Sequence, residues 1–137
     1  MKVLALDHGA ARTGIAVSDP TGTIARPLAA IERVDSTRGR AALDRLIAAE
    51  EPEVIVVGEP RTLSGERGPQ ARAAGGFAGR LRRRHSVPVV MWDERMTTVE
   101  AARRRREGGA RADLDSLAAC VLLEAYLAHR TDGDDGL

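Results

Sequence analysis

Two carboxylate positions in this chain stand where an apolar run stops: residues 3–6 lead into Asp7, and residues 87–92 lead into Asp93 and Glu94. If both runs are strands pointing toward the same sheet edge, these acids meet there. Carboxylates gathered without a cation raise one another's pKa and destabilise the folded chain. A divalent cation resolves that conflict. Oxygen-only donors are hard ligands and suit Mg²⁺ or Mn²⁺, which keep several waters and take a few carboxylates together with substrate phosphate oxygens. Two such ions about 3.5 to 4 Å apart can activate water and stabilise the leaving oxygen of a phosphodiester. Each acid also has a plainer explanation. A strand-end Asp forms turns, and Asp115, at the start of the last expected helix, would favour that helix's positive end.

The elements that must position these acids follow from periodicity. Residues 3–6 form a first strand, a turn carries Gly9 and Gly14, and residues 15–17 form a second strand. A third strand falls within 23–34, where Pro27 marks an edge or broken strand. Asp35, Ser36 and Thr37 can cap a helix in which Ala42, Leu43, Leu46 and Ile47 share a face, and Pro52 stops it. Residues 54–57 are a continuous apolar run between Pro52 and Gly58, the pattern of a buried strand. After a loop over 59–69, Ala74, Phe77, Ala78 and Leu81 share one helical face, although Gly75 and Gly76 each destabilise that helix by roughly a kcal/mol.

Residues 87–92 are the last strand. Thr97 and Glu100 then form a capping box, so a helix starts directly after it and ends at Gly108 and Gly109. Leu114, Leu117, Ala118, Val121, Leu122 and Ala125 mark the final helix, and residues 131–137 read as a short acidic disordered tail. This order predicts one domain over 1–130: a mixed five-stranded sheet, an antiparallel meander plus parallel strands, flanked by helices. Ligands of such sheets gather beyond the carboxyl ends of the parallel strands.

Composition narrows the partners. At 137 residues the chain has no room for two lobes of ordinary size. Phe77, Trp92 and Tyr126 are its only aromatics, too few and too scattered for a base-stacking platform, so nucleic acid would be held through its phosphates. The formal net charge is +1, but Asp132, Asp134 and Asp135 place three negative charges in the last seven residues, leaving +4 on the rest. One basic cluster is Arg80, Arg82, Arg83 and Arg84, and another runs from 103 to 106. Both suit either a solvated helix end or phosphate contact. The lone Cys120 reads as a small buried hydrophobe. No secretory or membrane-spanning run is present in the sequence, which predicts a soluble cytoplasmic protein, monomer or homodimer, with no membrane partner.

Four motifs carry a resemblance. They are Asp7-x-Gly9-x-x-Arg12-x-Gly14-x-Ala16-x-Ser18-Asp19, Val56-Val57-Gly58-x-Pro60, Asp93-Glu94-Arg95-x-Thr97-Thr98 and Asp115-x-x-Ala118-Ala119. In this order and spacing, over about residues 2–128, they resemble the YqgF family of RuvX-like Holliday junction resolvases and pre-rRNA nucleases. The resemblance implies an RNase H-like α/β fold, a nuclease site using Mg²⁺ or Mn²⁺, two ions by expectation, and a role in maturing the small-subunit (pre-16S) ribosomal RNA precursor, with branched DNA as the other candidate substrate. It places the family's catalytic, metal-binding acids on Asp7, Glu94 and Asp115.

Within that frame Arg12, Arg95, Arg103 and Arg104 would contact phosphates. For Arg95 the equal alternative is a clamp on a carboxylate, and Asp93 would orient either Arg95 or a water. His8 alternates away from Asp7 and is expected to pack or face solvent. Thr97 and Thr98 are capping residues first. The family commonly has an apolar residue at Glu59; here the expectation is a solvent-facing loop glutamate, with a fourth ligand as the other possibility. Two other functions compete. An actin-like phosphotransferase needs a second lobe that this length excludes, and a non-catalytic RNA-binding ribosome-assembly module would keep the fold without the chemistry.

Overall fold

Successive residues of a strand face opposite ways, and along the central strands of this chain both directions are covered. The structure is a computed structural model that describes residues 1–61, 64–96 and 114–134. Its elements are β1 (Val3–Asp7), β2 (Arg12–Ser18), β3 (Ala25–Glu32), α1 (Thr37–Glu50), β4 (Val54–Glu59), α2 (Pro69–Arg84), β5 (Val89–Asp93), a single 3-10 turn (Glu94–Met96) and α3 (Leu114–Asp134). On one face Leu4, Leu6, Ile15, Val17, Ile55 and Val57 pack with Leu43 and Ile47 of α1 and with Phe77 and Leu81 of α2. On the other, Val3, Ala5, Ala16, Val54 and Val56 pack with Ala119, Cys120, Leu122, Leu123 and Leu127 of α3.

The five strands lie in the order β3-β2-β1-β4-β5. β1 pairs antiparallel with β2, and β2 with β3, while β1, β4 and β5 run parallel. The expected meander plus parallel strands is therefore what forms. Because the three parallel strands point the same way, their carboxyl ends share one edge: Leu6 lies opposite Val57, and Glu59 opposite Asp93. Pro27 sits within β3 opposite Ala16, on an edge strand where its missing N–H breaks no central ladder.

Local chemistry sets the helix ends. The Ser36 hydroxyl accepts from the Gly39 N–H at 3.0 Å and caps α1. α2 runs straight through Gly75 and Gly76, because Ala71, Ala74, Phe77, Ala78 and Leu81 bury one face and outweigh the glycine penalty. α3 continues past the expected boundary at Thr131 as far as Asp134, since extending an established helix forms one hydrogen bond per residue fixed. The helix expected from Thr97 to Gly108 lies outside the described residues. No described helix is long and apolar enough to cross a membrane.

Candidate metal centre

Asp7 is the last residue of β1, and Gly58 lies one row further along β4 than Val57, the partner of Leu6. Strand alternation sets Asp7 with Val3 and Ala5, and Gly58 with Val54 and Val56, on the α3 face. Glu94 opens the 3-10 turn after β5 and lies back against Gly58: a Cβ added there would stand 2.7 Å from its Oε1. This brings the Glu94 carboxyl within hydrogen-bonding reach of Asp7. Two carboxyls bond to each other only by sharing a proton. The Glu94 pKa is accordingly pushed up to about 7, first by burial, then by the charge and hydrogen bond of Asp7, then by the charge of Asp93. The two strand-end acids do meet, and they repel as expected.

Asp115 is the second residue of α3. Its side chain, like Thr97, Thr98, Arg103 and Arg104, lies outside the described residues, and among those described no set of three candidate ligands converges. What the structure does fix is the next residue. The buried Ser116 hydroxyl accepts from the Ile15 N–H at 3.2 Å and donates to the Leu28 carbonyl, bridging the irregularity in β2–β3 pairing between Thr13 and Ile15. Ile15 follows Gly14, the register partner of Asp7. The first turn of α3 is thus fastened beside the row that carries Asp7. Nothing in the periodicity singles out Ser116, because a lone serine in an apolar helix carries no sign of its distant partners.

The border of this edge is basic. Arg12 is exposed at the start of β2, and a Cβ on Gly9 would collide with its carbonyl oxygen, so the β1–β2 turn requires glycine there. Arg95 is held by Asp93, with Nε 3.0 Å from Oδ2 and Nη2 2.6 Å from Oδ2. The clamp expected as one of its two roles is what the geometry shows.

Glu59 departs from expectation. It is 4% exposed, on the α2 face with Ile55 and Val57, and pairs with Arg61 and Arg67. The solvent-facing assignment is therefore corrected, because β4 stays covered on both sides to its last residue. The opposite parity from Gly58 also turns Glu59 away from the Asp7–Glu94 face. The apolar run at 54–57 carried the signal, since a strand buried on both faces buries its terminal residue too.

Other assignments sort themselves. His8 stacks on Phe77 with ring centroids 4.6 Å apart and bonds to Asp35, a packing role. Arg80 binds Asp35, Arg82 donates to the Val89 carbonyl and Arg84 binds Asp44, so that cluster ties α2 to its neighbours. Asp19 lies at the opposite end of the strands. Its carboxylate accepts from the N–H groups of Ile24 and Thr23 and from the Thr21 hydroxyl, which holds its pKa well below the usual range. Trp92 and Tyr126 are less scattered than their spacing suggests. They meet edge to face at 5.7 Å, because β5 packs against α3.

A mixed sheet in this order, with helices on both faces and an acid ending its first strand, defines an RNase H-like α/β domain. Two solved structures share that fold: T. thermophilus RuvC in complex with a Holliday junction substrate, at TM-score 0.63 and 20% identity over 96% of this chain and 97% of that one, and the Fowlpox virus resolvase with Holliday junction DNA, at 0.55 and 12% over 95% and 99%. The chain belongs to the RuvX family, described as Holliday junction resolvase, whose model matches residues 1–129. Relatives carrying the name "Putative pre-16S rRNA nuclease" include one from Desulforudis audaxviator, 38% identical over 97% of this chain and 98% of its own length. Another, from Geobacillus kaustophilus, is 40% identical over 93% and 97%.

Proposed function

We propose that this chain is a divalent-metal-dependent nuclease that hydrolyses phosphodiester bonds in the pre-16S ribosomal RNA precursor and retains a resolvase-like affinity for branched nucleic acid. The observation that carries this reading is the meeting of the Asp7 and Glu94 carboxyls at the carboxyl edge of the parallel strands. The donor set fits the expected ion: both ligands are hard oxygens, and one holds a proton that a cation would displace. Asp7, Glu94 and Asp115 would hold Mg²⁺ or Mn²⁺, as one ion or a pair. When bound, such ions lower the pKa of water and stabilise a leaving oxygen.

The chain's own residues do the rest. Gly58 leaves the hollow in which the Glu94 carboxyl sits, within reach of Asp7, with which it would hold the ion. Ser116 anchors the helix turn that carries Asp115. Arg12, Arg95, Arg103 and Arg104 steady the phosphate backbone, with Arg95 pre-oriented by Asp93. Such contacts fix register and carry no base information. The names of the relatives favour precursor RNA as the substrate, and the family description supplies the branched alternative.

The deciding experiment incubates the protein with Mn²⁺ or Mg²⁺ and either a structured precursor RNA or a four-way DNA junction. Metal-dependent cleavage is expected in the parent and absent in Asp7→Asn, which removes a ligand charge but keeps the shape. A folded Asp7→Asn variant that cleaves as well as the parent overturns the assignment.

A further inference from the structure

Glu59 is a buried carboxylate that the metal centre does not use. Its side chain is 5% exposed, yet it ends an otherwise apolar strand where a leucine would serve the core equally well. A buried ion pair is weak evidence for stability, since apolar replacements of similar size are often neutral. Its partners suggest another purpose. Arg61 donates from Nε to Glu59 Oε1 and from Nη1 to the Gly65 carbonyl at 3.4 Å, and Arg67 brings Nη2 within 2.9 Å of Glu59 Oε2.

The neighbouring strand repeats the device. Asp93, the register partner of Glu59, holds Arg95, whose Nη1 lies 3.3 Å from where a Gly65 Cβ would stand. Three guanidinium groups therefore gather beyond the ends of β4 and β5, held by two carboxylates. Arg67 keeps 58% of its side chain exposed, and Arg61 lines an open cleft of about 480 Å³ with Pro60, Gly68, Pro69 and Gln70. The three arginines share the carboxyl edge of the parallel strands with the acid pair, Glu59 facing α2 while Asp7 and Gly58 face α3.

We propose that Glu59 is a positioning residue for substrate, ordering Arg61 and Arg67 into a phosphate-binding pair beside Arg95 at the carboxyl edge of the parallel strands. A guanidinium has five N–H donors in a rigid fork, so bonding one edge to a carboxylate leaves donors for a phosphate while fixing their direction. Holding two long side chains in place beforehand removes the ordering that binding would otherwise require. This inference rests on the nuclease reading for its substrate, and its test separates the two.

Affinity for a labelled structured RNA and a labelled four-way DNA junction is measured in the Asp7→Asn background, and turnover in the otherwise unaltered chain. Glu59→Leu should weaken binding and raise KM about tenfold, with kcat within about twofold of the parent. The slope of log affinity against log salt should fall by about 0.7 to 0.9 for each phosphate that is no longer neutralised. Glu59→Gln, which keeps an acceptor for the Arg61 Nε–H, should lose less. In an Arg61→Ala, Arg67→Ala background, Glu59→Leu should change affinity no further, because its effect runs through those arginines.

A fall in kcat matching that of Asp7→Asn would overturn the proposal and make Glu59 part of the acid centre. Lower melting with parent affinity and salt slope would leave it a structural pair only. Tighter binding would mean that Glu59 masks the arginines. If the parent cleaves neither substrate while affinity still tracks Glu59, the nuclease reading falls and the positioning role stands.

Discussion

The Cβ that Gly58 lacks would stand 2.7 Å from Oε1 of Glu94, closer than a carbon and a carboxylate oxygen can pack. The end of β4 is thereby hollowed to admit a side chain from the turn after β5, and that hollow lets the Glu94 carboxyl reach Asp7. In the proposed centre Gly58 would orient Glu94 without itself bonding to an ion.

Gly58→Ala should therefore displace Glu94 without unfolding the sheet. Mn²⁺ affinity, read by calorimetric titration, and metal-dependent turnover should each fall by about 10- to 100-fold. Parent values in both would show that Glu94 does not depend on this hollow.

The acid pair also predicts how the metal-free protein responds to pH. Glu94 titrates at about 7 in the folded chain against an ordinary 4.5, so the folded state holds this proton more tightly than the unfolded one. Its contribution to stability is fully present below about 4.5 and is lost as pH rises through about 7. Asp19 works the other way. Its lowered pKa contributes stability above the ordinary 3.8, lost as pH falls. Chemical denaturation across pH 4 to 8 should show the upper decline, and Glu94→Gln should abolish it. Stabilisation by Mn²⁺ should grow over the same upper window, as less proton must be displaced. A flat profile would contradict the shared proton.

Ser116→Ala would leave the Ile15 N–H and the Leu28 carbonyl without their bridge inside the protein. Stranding buried groups of this kind costs about 1 to 3 kcal/mol, measurable as a lower urea midpoint. Since Ser116 anchors the turn carrying Asp115, Mn²⁺ affinity should fall as well. Lower stability with unchanged affinity would separate the anchor from the metal centre.

Gly75→Ala tests the opposite sign. A Cβ there meets nothing within 4 Å, and the residue lies inside α2. Replacing a mid-helix glycine in open space should stabilise the fold by about 0.5 to 1 kcal/mol. A neutral or destabilised variant would mean that the helix needs its glycine for another reason.

The sequence by itself determined the parts that depend on neighbours in the chain. Apolar runs at 3–6, 54–57 and 87–92 marked strands, period-3.6 faces marked the helices, and Asp7 and the Asp93–Glu94 pair stood out because charge follows immediately on an apolar run, the family resemblance then choosing Glu94 of the pair. The parallel order of β1, β4 and β5, which sets those two acids at one edge, was also readable from the alternation of strands and helices. Tertiary structure decided what depends on register and distant packing. Gly58 matters because of a turn 36 residues further along, and Ser116 because of two strands about a hundred residues earlier. Glu59 looked like a loop residue until strand pairing carried β4 one position past Gly58 and buried it. Hydrophobic periodicity reports which face of an element is covered. It does not report which distant side chain covers it, because that packing energy arises only once the sheet has closed.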